Sequence, residues 1–355
     1  MTQAQPPRQR FFTAALLCAA VACSFWMIFP AAAGLTAAGC MVQAAKTWLA
    51  ALVPEQVAVA QKPFEDPQRT GWHFVPKFQR KGLSLRDMNP AQQHAALDLL
   101  RAAISPQGYE TSLGIMQRDE ILRLIEGEKA KNIRDPQRYF FTLFGTPEAT
   151  GSWGLSVEGH HLSLNFTVRD GRVVDSTPQF MGASPAEVRT ALPGQPPVGH
   201  RLLKDEESLG FELVRSLDAP QRAIAIVAPL APRDIRAAGE AQAPQAAPQG
   251  IPFESLNPQQ QALLRRVVEA SCAAMHPEVA ADRLAAIEKA QGGWSAVRFA
   301  WAGALEPGIG HWYLVENPAF SLEFCNVQPD AEGNPANHVH CIYRDRSGDF
   351  DLPPR

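Results

Sequence analysis

Neither sign of charge dominates this chain: 33 Lys and Arg against 36 Asp and Glu leave a formal net charge of −3 over 355 residues. That balance excludes a general nucleic-acid binder, which carries a basic footprint, so no nucleic-acid partner is expected. The one local basic cluster, Lys77, Arg80 and Lys81, reads as a solvated loop. Several catalytic signatures are missing as well. No G-x-S-x-G elbow is present, which leaves a serine-hydrolase reading unsupported. There is no phosphate-binding P-loop, no dinucleotide fingerprint, no H-E-x-x-H helix and no C-x-x-C pair. Cysteine is sparse: of 6, Cys18, Cys23 and Cys40 lie in or near the N-terminal apolar run. The other three, Cys272, Cys325 and Cys341, are an odd number for an oxidising compartment. Cys325 and Cys341 fall on predicted strands that could be neighbours, so one disulfide or three reduced thiols are both open.

What is present begins with that apolar run. Arg8 and Arg10 precede Phe11 to Phe29, and Ala31-Ala32-Ala33 supplies small residues of the A-x-A cleavage type. Residues 1–33 therefore read as a signal peptide or, since the run approaches the ~18–20 residues of a span, as an uncleaved membrane anchor. Ala38-Gly39-Cys40 is a weaker lipoprotein-like alternative. Either way the bulk of the chain is expected outside the cytoplasm, periplasmic or secreted, touching membrane only through this segment.

Beyond a helical lead-in (34–63), the chain reads as an α+β protein of two pseudo-repeated halves, each a helical pair followed by antiparallel strands. Asn89-Pro90-Ala91-Gln92-Gln93 opens one amphipathic helix and Asn257-Pro258-Gln259-Gln260-Gln261 another, with Asn as N-cap and Pro at the first helical position. The β segments correspond too. Trp153 to Phe166 matches Trp312 to Phe324 with one residue dropped. The expected first half spans 64–227 and the second 251–355. Between them Ala228 to Gly250, dominated by Ala, Pro, Gln and Gly, reads as a flexible surface linker. Helices are also expected at Pro185 to Thr190, Lys204 to Ser216 and Pro220 to Val227, and a tight turn at Asp170-Gly171.

The candidate chemistry sits on these strands. Residues two apart share a strand face, so His338 and His340 project side by side as an H-x-H chelate requires. With His161, His311 or Glu323 added they make a three-ligand N/O site for one divalent, zinc-like transition metal. We assign His338, His340 and His311 as metal ligands and Glu323 and His161 as the residues that handle protons. The competing reading is hydrogen-bonded histidines lining a pocket or strand surface. If the strand continues through His160-His161, the two point to opposite faces, His160 towards the core. His161, Ser163, Asn165 and Thr167 form a polar wall on one strand, and Ser321, Glu323 and Cys325 its counterpart. Cys325 or Cys341 as a nucleophile with His338 or His340 is a minor alternative.

Trp72-His73-Phe74-Val75-Pro76, Arg80-Lys81-Gly82-Leu83, Arg134-Asp135-Pro136, Phe144-Gly145-Thr146-Pro147, Glu158-Gly159-His160-His161-Leu162-Ser163, Phe299-Ala300-Trp301-Ala302-Gly303 and Asn337-His338-Val339-His340 occur in one order. In this the chain resembles a bacterial family known as domain of unknown function 3500, from about Phe64 to Phe350. The resemblance implies extracytoplasmic placement and no established activity. It also marks departures, with Trp312 and Leu314 inside a segment that tends to read His-Tyr-Tyr-Arg and Cys325 where an acid is usual.

Three functions follow as expectations. The first is a metal-dependent hydrolase or related enzyme acting on a small or oligomeric substrate. The second is a non-catalytic periplasmic binding protein for a small ligand or metal. The third is an anchored envelope protein that engages another protein through its helices.

Overall fold

Asn89 and Asn257 cap their helices by the same set of bonds. Each side-chain oxygen accepts from the backbone amide of the glutamine three residues on, Gln92 at 3.0 Å and Gln260 at 2.9 Å. Each glutamine in turn accepts from the asparagine amide at 2.9 Å, which satisfies donors that a helix start leaves open. The glutamine amides then reach outward, Gln92 to the Ala51 carbonyl and Gln260 to the Ser216 carbonyl, both at 2.9 Å. A helix start is thereby tied to the end of another helix more than 40 residues earlier.

The computed structural model describes Met1, residues 36–76 and residues 79–354, so the rest of the expected leader and Lys77 lie outside the described residues. Leu35–Arg355 form one compact unit. In chain order it begins α1 (Ala37–Ala51), α2 (Pro54–Ala60), β1 (Gln61–Lys62), β2 (Leu83–Ser84), α3 (Pro90–Ala103) and α4 (Pro106–Glu126). Five strands follow: β3 (Phe140–Phe144), β4 (Ser152–Gly159), β5 (Leu162–Arg169), β6 (Arg172–Asp175) and β7 (Gln179–Ala183). The chain continues as α5 (Lys204–Ser216), α6 (Ala219–Ala225), β8 (Ile226–Ala228), β9 (Ile251–Pro252), α7 (Pro258–Cys272) and α8 (Pro277–Lys289). It closes with β10 (Arg298–Gly303), β11 (His311–Glu316), β12 (Phe320–Asn326) and β13 (Val339–Asp345). No helix among the described residues is long and apolar enough to cross a membrane.

This is a mixed α+β fold around one mostly antiparallel sheet. The strand order is β1-β3-β4-β5-β7-β13-β12-β11-β10-β8, with β2 beside β3, β6 beside β5 and β9 beside β10. The short outer strands β1 and β8 pair in parallel with β3 and β10. At the centre β7 runs antiparallel to β13, with His340 opposite Gly182.

One face of the sheet is covered by helices. Trp48 of α1, Leu99 of α3, Phe211 of α5 and Val267 of α7 meet alternate strand residues such as Leu155, Leu164, Tyr313, Leu322 and Cys341 in the main core. The other face is covered by irregular chain. There Trp72, Phe74 and Ile235 pack on Phe180, Trp312, Cys325 and Ile342. Trp72 and Phe74 come from the segment after β1, and Ile235 from the Ala228–Gly250 segment.

That second segment was expected to be flexible, and its contacts tie it down instead. The Glu240 carbonyl accepts from Trp72 Nε1 at 2.6 Å and from Arg344 Nη2 at 2.7 Å. Gln242 and Gln245 donate to the carbonyls of Asp349 and Arg346 at 3.1 and 3.2 Å. Its one large buried apolar residue is Ile235, helped by small alanines such as Ala231, too little for a periodic signal. Of the basic cluster, the Arg80 and Lys81 side chains are likewise buried rather than solvated: Lys81 pairs with Glu158 at 2.7 Å and Arg80 lies 3.9 Å from it.

One more expectation changes, one open alternative is resolved and one expectation holds. The Pro185–Thr190 stretch is not helical, because its backbone pairs elsewhere: Val188 donates to His200 and accepts from Gly199 at 2.8 Å. No disulfide joins Cys325 to Cys341. Their strands are neighbours, but Cys325 is opposite His340 and packs on the loop-covered face, while Cys341 is opposite Phe324 and packs under the helices. Thiols on opposite faces of a sheet cannot bridge. The Asp170-Gly171 turn forms as expected, both residues having positive φ (47° and 75°).

Candidate metal centre

The H-x-H pair lands where strand geometry requires. His338 and His340, at the start of β13, project onto the loop-covered face, since Val339 and Cys341 between and after them enter the helical core. His161 meets them from the β4–β5 hairpin. The strand does not continue through His160-His161, which are the turn residues, and His161 is left-handed (φ 61°). The expected opposition of the two rings therefore fails. They stack, with centroids 3.9 Å apart.

The three imidazoles place their ligand atoms within 4.8 Å of one another. His161 Nε2 is 2.7 Å from His338 Nε2, which is 3.2 Å from His340 Nε2. A tetrahedral metal with bonds of about 2.0–2.1 Å would hold its nitrogens roughly 3.3 Å apart. The His338–His340 pair already has about that spacing, and the His161–His338 pair would have to open by roughly 0.6 Å. Two unprotonated nitrogens at 2.7 Å repel unless a proton or cation lies between them, and a cation relieves all the contacts at once.

The tautomers suit the same role. His340 Nδ1 meets Asp234 Oδ1 at 2.7 Å, which places the ring proton there and leaves the Nε2 lone pair facing the cluster. The Pro329 carbonyl, which can only accept, bonds the His338 ring. His161 Nδ1 is buried and lacks a partner. Burial pushes the His338 pKa down to about 3, and burial with neighbouring imidazoles holds His161 well below its ordinary range. Both rings are therefore neutral near pH 7, as metal binding needs. Burial works to raise the Asp234 carboxyl, but the His340 bond, the neighbouring imidazoles and the Ile235 amide together outweigh it and hold the group below its ordinary range.

Packing fixes the rings. Phe74 stands edge-on to His340 at 4.9 Å and Phe180 at 5.4 Å. Gly182, directly across from His340, leaves the space the rings fill. A Cβ there would come within 3.1 Å of His161 Cδ2, 3.2 Å of His340 Cδ2 and 2.7 Å of the Val339 carbonyl oxygen. His161 and His340 are buried, and half-buried His338 is the edge nearest solvent. Behind the hairpin, His160 Nδ1 meets Asp119 Oδ1 at 2.7 Å, and Tyr139 Oη binds the other Asp119 oxygen and the His160 carbonyl.

The other candidates lie elsewhere. His311 is on the helix-covered face, stacked with Trp301, its Nδ1 on the Ile309 carbonyl at 2.8 Å and its Nε2 3.2 Å from Glu207. It does not join the cluster. Glu323 shares the face of His340 but is spent on other partners. Arg236 Nε and Trp312 Nε1 donate to its two oxygens at 2.7 and 3.2 Å, and the Arg236 amide adds a third bond at 3.0 Å. Asn165 binds Ser163, Ser156 and the Pro178 carbonyl. Sequence reading missed Asp234 and Gly182. The signal for Asp234 was there: Arg233-Asp234-Ile235-Arg236 concentrates the charge of an otherwise nearly uncharged stretch. Gly182 had none short of the three-dimensional pairing.

Fold and site define a class: an α+β protein with three inward-facing imidazoles, one of them oriented by an acidic residue from a covering loop. The chain belongs to the family described as protein of unknown function DUF3500, whose model matches residues 36–352. No curated protein matches it, and no solved structure does.

Proposed function

We propose that His161, His338 and His340 hold one divalent transition metal, zinc-like in its preference for neutral imidazole, and that the protein is a metal-dependent hydrolase. The observation that carries this is the convergence of three Nε2 atoms, with the His340 ring set by Asp234 and the His338 ring bonded by Pro329. A metal on three protein ligands retains an open position and would supply an activated water or a polarised carbonyl. His338, the half-buried ligand, marks the side from which a substrate would approach.

One observation favours the second reading, a non-catalytic metal or ligand binder. Glu323, the expected proton carrier, has both oxygens bonded to Arg236 and Trp312. The test begins with metal content of the purified protein beside the His338→Ala/His340→Ala double variant. Near-stoichiometric metal lost in a folded variant supports the centre, and metal-dependent turnover of ester or phosphoester substrates then selects the hydrolase over the binder. A parent protein free of metal after supplementation overturns both metal readings.

We further propose that the chain is an internal duplication, α1 to β7 corresponding to α5 to β13. The matched cap bonds of Asn89 and Asn257, and the parallel outer strands β1 and β8, support it. On the strength of residues 1–33, read as a signal peptide or an anchor, we also propose that the bulk of the chain lies outside the cytoplasm.

A further inference from the structure

A second concavity, of about 560 Å³, opens at the end of the sheet where β12 finishes and β13 is about to begin. One wall is the irregular chain between β7 and α5, and the other is a face of α5. The first wall presents Glu187 and Arg189, the second Glu212 and Arg215, one turn apart on the helix. Each wall therefore offers one carboxylate and one guanidinium. Phe211 gives the helical wall an apolar patch, with the Arg215 guanidinium 4.9 Å above its ring.

The cleft is built rather than incidental. Its two walls are clamped by the ion pair of Arg201 with Glu207. The Glu207 carboxylate is held from beneath by Asn326 Nδ2 at 2.8 Å, beside His311 Nε2 at 3.2 Å. The Glu187 backbone is gripped at both ends by the Asn337 side chain, which accepts from its amide at 2.8 Å and donates to its carbonyl at 2.9 Å. Arg189 is oriented by Asn334 at 3.0 Å. The four wall charges sit in partly exposed pairs. Arg189 lies 3.6 Å from Glu187, Arg215 is 3.1 Å from Glu306 and donates to the Leu305 carbonyl, and Glu212 is 3.9 Å from Arg266. Side-chain exposures are 36 and 40% for Glu187 and Arg189 and 55 and 42% for Glu212 and Arg215. A ligand's charged ends would replace these exposed pairs, which are individually weak, without opening a buried one.

Charge alternation selects the ligand class. A polyanion would meet Glu187 and Glu212, a polycation Arg189 and Arg215, and a neutral glycan would leave all four charges partly desolvated. A molecule with a carboxylate at one end and an ammonium at the other satisfies both signs, the guanidinium gripping the carboxylate through paired N–H donors. A cavity of this volume suits a drug-sized ligand. We propose that this cleft binds short zwitterionic peptides through their free termini, as a site distinct from the histidine centre.

Calorimetric titration of the full-length protein tests this with trialanine, N-acetyl-trialanine, trialanine amide and maltotriose. The expected result is saturable binding of trialanine, lost or weakened at least tenfold when either terminus is blocked, and no binding of maltotriose. Arg189→Gln and Glu212→Gln, both at exposed positions, are each expected to weaken trialanine about threefold to fivefold, the scale of a partly exposed ion pair. The His338→Ala/His340→Ala variant should bind trialanine as the parent does, which separates this site from the metal centre. No trialanine binding at millimolar concentration, equal binding of the blocked peptides, or indifference to both wall substitutions would overturn the proposal.

Discussion

At the scale of single residues, the proposed metal centre depends on a side chain that is missing and on one that arrives from a distant loop. Gly182 has ordinary backbone angles, so an alanine there is excluded by contact rather than by conformation. Its Cβ would press on the Val339 carbonyl and both imidazoles. Gly182→Ala is expected to cost about 1–3 kcal/mol in urea unfolding, the range for overpacking, and to weaken metal binding because the rings must splay. Asp234→Asn leaves the shape nearly unchanged but removes the charge that fixes the His340 tautomer. Metal affinity, measured by competition with a chelator, should drop about 10–100-fold with the fold retained. An Asp234→Asn protein with parental affinity would show that the carboxylate does not orient His340. The H-x-H pair was legible because strand alternation places both rings whatever surrounds them. His161 was visible as a candidate, yet its part depended on whether His160-His161 continued a strand or turned a corner. The positive φ at His161 is a tertiary outcome. The acid was sought on a strand, at Glu323, and supplied by a loop, at Asp234.

At the scale of elements, α5 carries a second buried acid with a different consequence. Glu206 lies in its first turn, beside a small cavity lined by Gln179, Ser271 and Cys341. Burial pushes its carboxyl up to about 7 from 4.5. A pKa raised on folding means that the protonated form favours the folded state. That contribution is complete below about pH 4.5 and is lost as pH rises through about 7. Above that range the ionised carboxylate costs the fold about 3 kcal/mol, at 1.36 kcal/mol per unit. Glu206→Gln should therefore gain on the parent as pH rises, with denaturation midpoints closest near about pH 5 and farthest apart near about pH 8. Parallel stability curves would show that Glu206 stays ionised in the fold. Elements with strong local chemistry were legible: the Asn-Pro starts of α3 and α7, α5 at its observed bounds, and β10 to β13. Strand β7 was not, because Gln179-Phe-Met-Gly-Ala183 is short and contains the glycine that the centre requires. Pro185–Thr190 looked like a helix start and was claimed by backbone pairing with Gly199 and His200.

At the scale of the whole molecule, the sheet has a helical face read well from periodicity and a loop-covered face that periodicity cannot describe. The chain that covers it meets the sheet through single residues. Asp234 reaches His340, Ile235 enters the aromatic cluster, and Arg236 bridges Glu323 and Glu316. Composition alone made this segment a linker, since Ala, Pro, Gln and Gly give no period. Its hydrogen bonds make it the lid of the buried polar layer and the source of the outer ligand of the centre. Metal binding and lid order should therefore be linked. A metal at one hundred times its Kd stabilises the folded form by about 2.7 kcal/mol. Part of that gain must appear in the lid if Asp234 is engaged only when His340 is correctly placed. Limited proteolysis within Ala228–Gly250 should accordingly be slow in the metal-loaded protein and faster after chelation. In the Asp234→Asn variant it should be fast in both states. Arg236→Met would loosen the same lid while leaving the histidine cluster its ligands, so it should cleave faster yet still bind metal. Equal cleavage of loaded and stripped parent protein would uncouple the lid from the centre and leave Asp234 a structural anchor alone.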